Sequence, residues 1–538
     1  MPDVTLASLH DQLWLTVALP ALALAGLVLT IRGRGPQWRR FGAGLRALGR
    51  PGEGVGHGLA GTLGALGSFG AATAIGTATA VSLGGAGVLP YVWLFGILVA
   101  PVRWGETLLA GTDAPGRGDA AASGSLPRRL LRMGDRFRVA GVALLLLTLA
   151  TAFAWAGAAH AAAAGDAAGA LLEADGAAFA YGALALGALL AIFALASPKG
   201  TALLGWVAIV ALLTVLGAGL WAVFADPAAT FAVLGRAFGD AMNGAEAAGP
   251  FTGALAGEIA TAAALHALAP QAASTGVEGS AQALGGGVKA QAAAAAVLPL
   301  VQAIVATALV MAFVGSGAYR TRVEMSRPMI EGRVYTMAVA TANDRSEPGR
   351  LYQGFMRIVG GEPRNPQLSF GFERGMVEDP VYELDDEPAN VGMEARDGLP
   401  FRLMVSGSPR SLEPSARKSL SDLRIRGKML PTKGSLYAAA FVAAGGDLAS
   451  KLALVALLAL AVVGLAFWGV GAGRALPTSL PAPLALAAGA LPAIGGALAV
   501  SGALPRLLSV GGILAACLVA ATSLLLILRS REITKLGG

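Results

Sequence analysis

Apolar runs of about one bilayer's width, separated by short polar joints, set the character of this chain. A crossing helix needs about 20 mostly apolar residues. Eleven stretches fit: Leu13–Ile31, Gly58–Leu83, Gly87–Ala110, Phe137–Ala156, Ala177–Ala196, Thr201–Phe224, Phe251–Ala269 with a broken continuation to about Gln282, Ala290–Val314, Leu452–Val470, Leu480–Val500 and Leu507–Leu528. Several are not plain anchors. From Gly61 the chain reads GTLGALGSFGAATAIGTATAVSLGGAGVLPYVWLFGILVAPVRWGETLLAG, with glycines and hydroxyls where an anchor carries leucine. A helix in lipid must satisfy its own backbone, so a loosened segment belongs where main-chain groups face a cavity or solute. This stretch reads as part of a solute pathway.

One segment breaks the rhythm. Between 318 and 435 the runs RVYTMAVAT, QLSFGFE and FRLMVSG are alternating or β-rich, and Asn343-Asp344, Gly360-Gly361 and Asp397-Gly398 mark turns. Ser411 to Arg426 reads as a short helix. The chain therefore divides into a first membrane part (1–317), a small β-rich insertion (318–435) and a second membrane part (436–538).

Composition and charge sharpen this. Mean hydropathy is +0.64, and only 14% of residues are charged, against about a quarter in soluble domains. The 75 glycines suit membrane helices that pack closely through small residues. The net charge of +7 comes with no base-reading or stacking surface, so no nucleic-acid partner is expected. Cys517 is the single cysteine, and His10, His57, His160 and His266 are scattered without metal-ligand spacing. No basic segment precedes the first apolar run, which reads as an anchor and not a signal peptide.

Arginines set the sidedness. Arg32, Arg34, Arg39, Arg40, Arg46 and Arg50 follow the first run; Arg117, Arg128, Arg129, Arg132 and Arg136 follow the third. Lys199, Lys289 and the trio Arg529, Arg531 and Lys535 mark later turns of the same side, while the loop with Asp166, Glu173 and Asp175 lacks Lys and Arg. The positive-inside rule then puts the N-terminus outside and the C-terminus in the cytoplasm of a bacterial-type inner membrane. By crossing parity the insertion, which holds 34 of the 73 charged residues, lies on the outer face.

Gly70-x-x-Thr73-x-x-Gly76, the turn Gly84-Gly85-Ala86-Gly87, Trp93, and Arg103-x-x-Glu106 form a series. Gly279-Ser280-Ala281, Thr307–Val310 with Ser316-Gly317, and Ala440-Phe441 through Gly445 into Leu452–Gly469 continue it. In this order they resemble the signature segments of the alanine or glycine:cation (sodium) symporters. The resemblance implies an all-α polytopic membrane protein with a five-plus-five inverted repeat of the leucine-transporter type and one extra helix in front. It further implies two broken helices that bind substrate at mid-membrane, with Gly70, Thr73 and Gly76 in the first break and Ser274, Thr275, Gly279 and Ser280 in the second. A half-helix N-terminus attracts a carboxylate, and free carbonyls hold a cation.

The chain departs from that pattern in telling places. The family's asparagine in the first break is Thr73, its asparagine–glutamate pair falls on Ser274 and Thr275, and an aspartate falls near Pro299. The Ser-Thr pair that helps hold sodium falls on Val463 and Gly464, neither of which offers a side-chain oxygen. The coupling ion, Na+ or H+, stays open.

Each site residue also has a plainer reading. Gly70, Gly76, Gly84, Gly85 and Gly87 are equally packing contacts. Arg103 and Glu106 read as a structural ion pair or a gate near the inner interface. Glu258 and Glu278 are ionisable groups in apolar surroundings, where such groups are functional candidates; Glu278 stands in for the missing family glutamate, and Glu258 faces water if it lies near the outer surface. Glu383, Asp385, Asp386 and Glu387 read as a solvated loop without the order of a calcium site. No nucleophile arrangement or phosphate loop is present, so neither an enzyme nor an ATP-driven pump is expected, and no cofactor beyond a coupling ion. The expected activity is secondary transport of a small neutral amino acid by alternating access, with lipid and substrate as partners. The alternative is a degenerate transporter fold serving as receptor or scaffold through a protein partner of the insertion.

Overall fold

The computed structural model describes residues 6–49, 57–111, 125–172, 176–244, 255–278, 288–328, 335–338, 354–363, 368–372, 375–376, 378–384, 387–395, 402–408, 411–414, 423–431 and 433–538. They fall into two compact units, a helical one and a second that includes Gly317–Pro431.

Among the described residues of the helical unit, eight segments are long and apolar enough to cross a membrane: Leu6–Arg32, Gly70–Gly111, Asp135–Leu172, Ala177–Ala196, Lys199–Ala225, Val288–Gly315, Lys433–Ala475 and Ala482–Leu528. The chain is a multi-pass membrane protein with a helical membrane region. The expected run from Phe251 is absent from that set. Among its described residues, Ala256–Ala262, a π-turn at Ala263–Leu268 and Ala269–Ala272 are helical, and the helix gives way to a turn at 273–277.

We label the helices used below α1 (Leu6–Arg32), α2 (His57–Gly84), α3 (Leu89–Gly111), α4 (Asp135–Leu172) and α5 (Ala177–Ala196), α6 (Pro198–Ala225), α7 (Pro227–Asn243), α8 (Ala256–Ala262), α9 (Val288–Gly315), α10 (Lys433–Ala475), α11 (Ala482–Gly489), α12 (Leu491–Leu498), α13 (Leu504–Leu528) and α14 (Ser530–Gly537). Side-chain caps start two of them. Ser197 Oγ accepts the Gly200 N–H at 3.1 Å before α6, and Asp226 Oδ1 accepts the Ala229 N–H at 3.0 Å before α7. In both, proline fills the first helical position, where its missing N–H goes unneeded.

Helices α9 and α10 form the centre, with most of their apolar length buried. Small residues allow this. A side chain on Gly469 would strike the Gly489 carbonyl and Ala191, and one on Gly473 would meet Leu195. Phe313 of α9 packs edge-on to Tyr437 of α10 with ring centroids 4.8 Å apart. Trp93 Nε1 of α3 donates to Thr307 Oγ1 of α9 at 2.8 Å, which ties the two helices together.

The C-terminal helix α14 gathers several basic joints. Arg32 donates to Ser530 Oγ, Arg40 to the Gly537 carbonyl, and Arg129 pairs with Glu532. Lys289 Nζ donates to the Gly538 carbonyl at 2.8 Å. Arg128, in the short helix Leu126–Arg132, donates to Leu476 O just beyond the end of α10.

The second unit is built of antiparallel strands. Sheet order is β1-β12-β7-β8 in one sheet, β11-β10-β9-β3-β4 in another and β2-β5-β6 in a third. The strands are β1 (Val323–Pro328), β2 (Tyr335–Ala338), β3 (Gly354–Val359), β4 (Glu362–Pro363), β5 (Leu368–Phe372), β6 (Gly375–Met376), β7 (Glu378–Leu384), β8 (Glu387–Pro388), β9 (Val391–Ala395), β10 (Arg402–Ser408), β11 (Ser411–Pro414) and β12 (Leu423–Met429). The expected turn at Gly360-Gly361 joins β3 to β4 with φ of 61° and 80°. Two successive positive φ values are what a tight hairpin of the twist-matching type requires. The expected helix from Ser411 to Arg426 is instead strand at both described ends. The reason lies in the pattern: Leu423, Ile425 and Met429 are buried while Arg426 and Lys428 are exposed, a period of two that a helix cannot bury on one face. The Asn343-Asp344 and Asp397-Gly398 turns lie outside the described residues.

Candidate functional site

Among the described residues of the helical unit, helical backbone breaks at the exposed glycines Gly446 of α10 and Gly502 between α12 and α13, and at two buried places. The first is Gly70, held at φ 28° and ψ 171° inside α2. A non-glycine residue resists that geometry, and a helix that restarts after it lacks partners for its first amides. Thr73, one turn on, is buried; its carbonyl accepts from Thr77 Oγ1 at 2.9 Å, and the Ala74 carbonyl accepts from the Tyr437 hydroxyl at 3.1 Å. Gly76 is a close crossing point. A side chain there would collide with the His266 carbonyl, so α2 crosses the π-turn after α8 at this glycine.

The second interruption follows Ala272. Residues 273–277 form a turn, with Gly276 at φ 101°. Ser274 and Thr275 are buried here. Gly279 and Ser280 lie outside the described residues.

Around this second turn sits a buried ionic cluster. Arg103 of α3 lies 3.7 Å from Glu106 one turn later and pairs with Glu278; all three side chains are at most 1% exposed. Arg103 Nη2 also donates to Ser274 Oγ at 2.8 Å and to the Gln271 carbonyl at 3.2 Å. Glu106 Oε1 accepts the Gly276 N–H at 3.0 Å, so a carboxylate clamps the turn's own backbone. Gln271 in turn donates to Gln302 of α9. One guanidinium thus faces two carboxylates away from water. Buried charges of this kind persist only with such pairing and hydrogen bonding.

The ion pair read from the i,i+3 spacing of Arg103 and Glu106 is present and buried inside the protein. Glu258, by contrast, is exposed and accepts the Leu255 N–H at 2.9 Å; it caps its own helix start and stays apart from the cluster. Among the described residues, no group of three His, Cys, Asp or Glu is arranged to hold a metal ion.

Both interruptions abut α10. A side chain on Gly471 would strike Val277 of the second turn. A side chain on Gly464 would strike the ring of His160, and one on Gly70 would lie 2.8 Å from the same ring. Seven residues of helix separate Gly464 from Gly471, about 10 Å of rise. Val463 and Gly464, where side-chain oxygens are missing, are buried; at Gly464 the vacated volume admits an imidazole.

His160 is the residue that sequence reasoning missed. It is 2% exposed, and among the described residues neither ring nitrogen has a hydrogen-bond partner. Trp155 lies edge-on to it at 6.2 Å and stacks in turn toward Trp468. The signal was available: an ionisable group inside a long apolar helix is a functional candidate by default. A separate cavity of about 10 Å³, lined by Leu109, Leu126, Arg129, Leu130, Met133, Leu525 and Arg529, holds at most one water and touches neither interruption. Compared with models of known protein families the chain matches none, and no curated protein matches its sequence.

Proposed function

We propose that this protein is a secondary active transporter of small neutral amino acids of the alanine or glycine kind, ion-coupled and working by alternating access on a five-plus-five inverted repeat. The observation that carries the reading is the pair of buried interruptions at Gly70 and residues 273–277, both against α10 and both beside ionisable side chains. Irregular backbone at membrane depth is tolerated where it is buried in protein or lines a pathway, and half-helix ends there bind zwitterions and ions. Hinged helices also supply the moving parts that alternating access needs.

Eleven crossings are compatible with the helices. The segments Gly70–Gly111 and Ala482–Leu528, at 42 and 47 residues, are each long enough to cross twice. With the shorter helical stretch from Ala256 this gives an odd number and opposite sides for the two termini. The joining of Arg32, Arg40, Arg129 and Lys289 to α14 supports a common cytoplasmic face for these segments. The second unit then lies outside a bacterial-type inner membrane.

Uptake of labelled alanine and glycine into proteoliposomes, with and without a sodium gradient and with and without a proton gradient, tests the reading. Saturable uptake of either amino acid is expected under at least one gradient. No uptake of either under any of them ends the proposal.

A further inference from the structure

His160 needs an explanation that the Arg103 cluster does not supply. Its ring is wedged between Gly70, where α2 breaks, and Gly464 of α10. A buried polar group without a hydrogen bond is destabilising, so a histidine kept there as mere filler is a poor choice beside leucine or phenylalanine. The ring also lies next to the N-terminal end of the half-helix formed by residues 71–84. Free amides at such an end, with the helix dipole, attract an anionic group. A carboxylate arriving there meets the imidazole as its nearest titratable neighbour.

The surroundings make that imidazole the group that responds. On α10, Tyr437 donates to the Ala74 carbonyl, Asp447 pairs with Lys451, and Arg474 lies ten residues beyond Gly464. Asp166 of α4 itself accepts the Gly434 N–H, and Asp135, Arg136 and Arg138 stand at the opposite end of α4. Tyr181 of α5 is exposed, and α13 brings Arg506 and Cys517. Among the described residues, none of these groups forms an ion pair or hydrogen bond with the ring. A zwitterion whose carboxylate sits at the break sets that negative charge closer to the imidazole than its own ammonium, and opposite charge within a few ångströms favours protonated histidine.

We infer that His160 is the proton-binding residue of the first interruption: a substrate carboxylate bound at the start of residues 71–84 brings one proton onto the His160 imidazole. The proton leaves water or buffer, forms an N–H bond on the free ring nitrogen, and returns to water when the carboxylate leaves; no bond of the substrate changes. This rests on the transport reading and specifies its coupling ion. It also gives Gly464 a reason, since any side chain there evicts the ring.

Calorimetry of alanine and glycine binding to the purified full chain in sodium-free buffers of different ionisation enthalpy tests the inference. For the wild type we expect uptake of about one proton per amino acid at pH 8. The affinity should fall about tenfold per pH unit above the imidazole range. In H160Q and H160N the proton uptake should vanish and the affinity become flat with pH. Binding by the wild type without proton uptake overturns the inference while leaving transport standing. So does uptake that persists in H160Q and disappears in E278Q, which assigns the proton to the other cluster. No binding of either amino acid by the wild type at any pH overturns the inference together with the transport reading. Because the wild-type measurement needs no variant, a misfolded substitution cannot mask the result.

Discussion

At the scale of residues, the charge count around Arg103 decides what the cluster tolerates. Removing the guanidinium leaves Glu106 and Glu278 facing each other without water; removing one carboxylate's charge leaves a balanced pair. Arg103→Met should therefore destabilise the protein by about 3–5 kcal/mol, the usual penalty for orphaning buried charge. Glu278→Gln, which keeps a hydrogen-bonding group of the same shape, should change stability by no more than about 1 kcal/mol. Thermal unfolding of the purified variants in one detergent checks this, and equal loss in both would refute the charge argument. The i,i+3 spacing made Arg103 with Glu106 readable in the sequence. The third member comes from 175 positions away in the chain, so its charge was legible and its partner was not. His160 was passed over for a related reason: one histidine carries no spacing pattern, and only folding brings Gly70 and Gly464 to its two faces.

The same logic extends to elements, where glycine has opposite uses at two positions of α2. Gly70 is a backbone requirement, because its φ is one that L residues rarely adopt. Gly76 is a spacing requirement, because the His266 carbonyl occupies the place of a side chain. Sequence composition could not separate these, since both are small residues in an apolar run; conformation and crossing point do. Gly76→Leu should force α2 and the segment after α8 apart and abolish accumulation of folded protein, read by size-exclusion of a fluorescent fusion. Gly70→Ala strains the backbone and also presses on His160, which sits at 2.8 Å from the added carbon. Removing the ring in a Gly70→Ala/His160→Ala double variant should recover only the steric part. In the second unit the legible signal was alternation, and the helix expected at 411–426 failed where polar residues separate buried ones by two. Ile425 is 1% exposed, so Ile425→Ala should destabilise that unit by about 2–5 kcal/mol. Arg426→Ala, at a side chain 55% exposed, should stay within about 0.5 kcal/mol. Limited proteolysis across a denaturant series distinguishes them, and equal sensitivity would argue against the strand register.

For the whole molecule, the arrangement of basic residues and the contacts of α14 bear on sidedness from separate directions. Positive charge selects a side during insertion, before the fold exists; the contacts of Arg32, Arg40, Arg129 and Lys289 with residues 530–538 belong to the finished fold. Had those segments been distributed over both faces, a single short helix of eight residues could not touch them all, since a bilayer core is about 30 Å thick. These contacts argue for one shared face, and the proposed orientation puts that face in the cytoplasm. Single cysteines at two exposed positions, Lys535→Cys in α14 and Glu387→Cys in β8, with Cys517 replaced by serine, turn this into a measurement. An impermeant maleimide added to intact cells should label Glu387→Cys and reach Lys535→Cys only after permeabilisation. Labelling of Lys535→Cys in intact cells would reverse the orientation, and labelling of both from one side would require an even number of crossings between them. That last outcome would strike at the transport proposal as well. A five-plus-five repeat with one leading helix puts two crossings after the insertion's exit through α10, and it needs the odd parity between strand β8 and α14 to keep its two halves inverted.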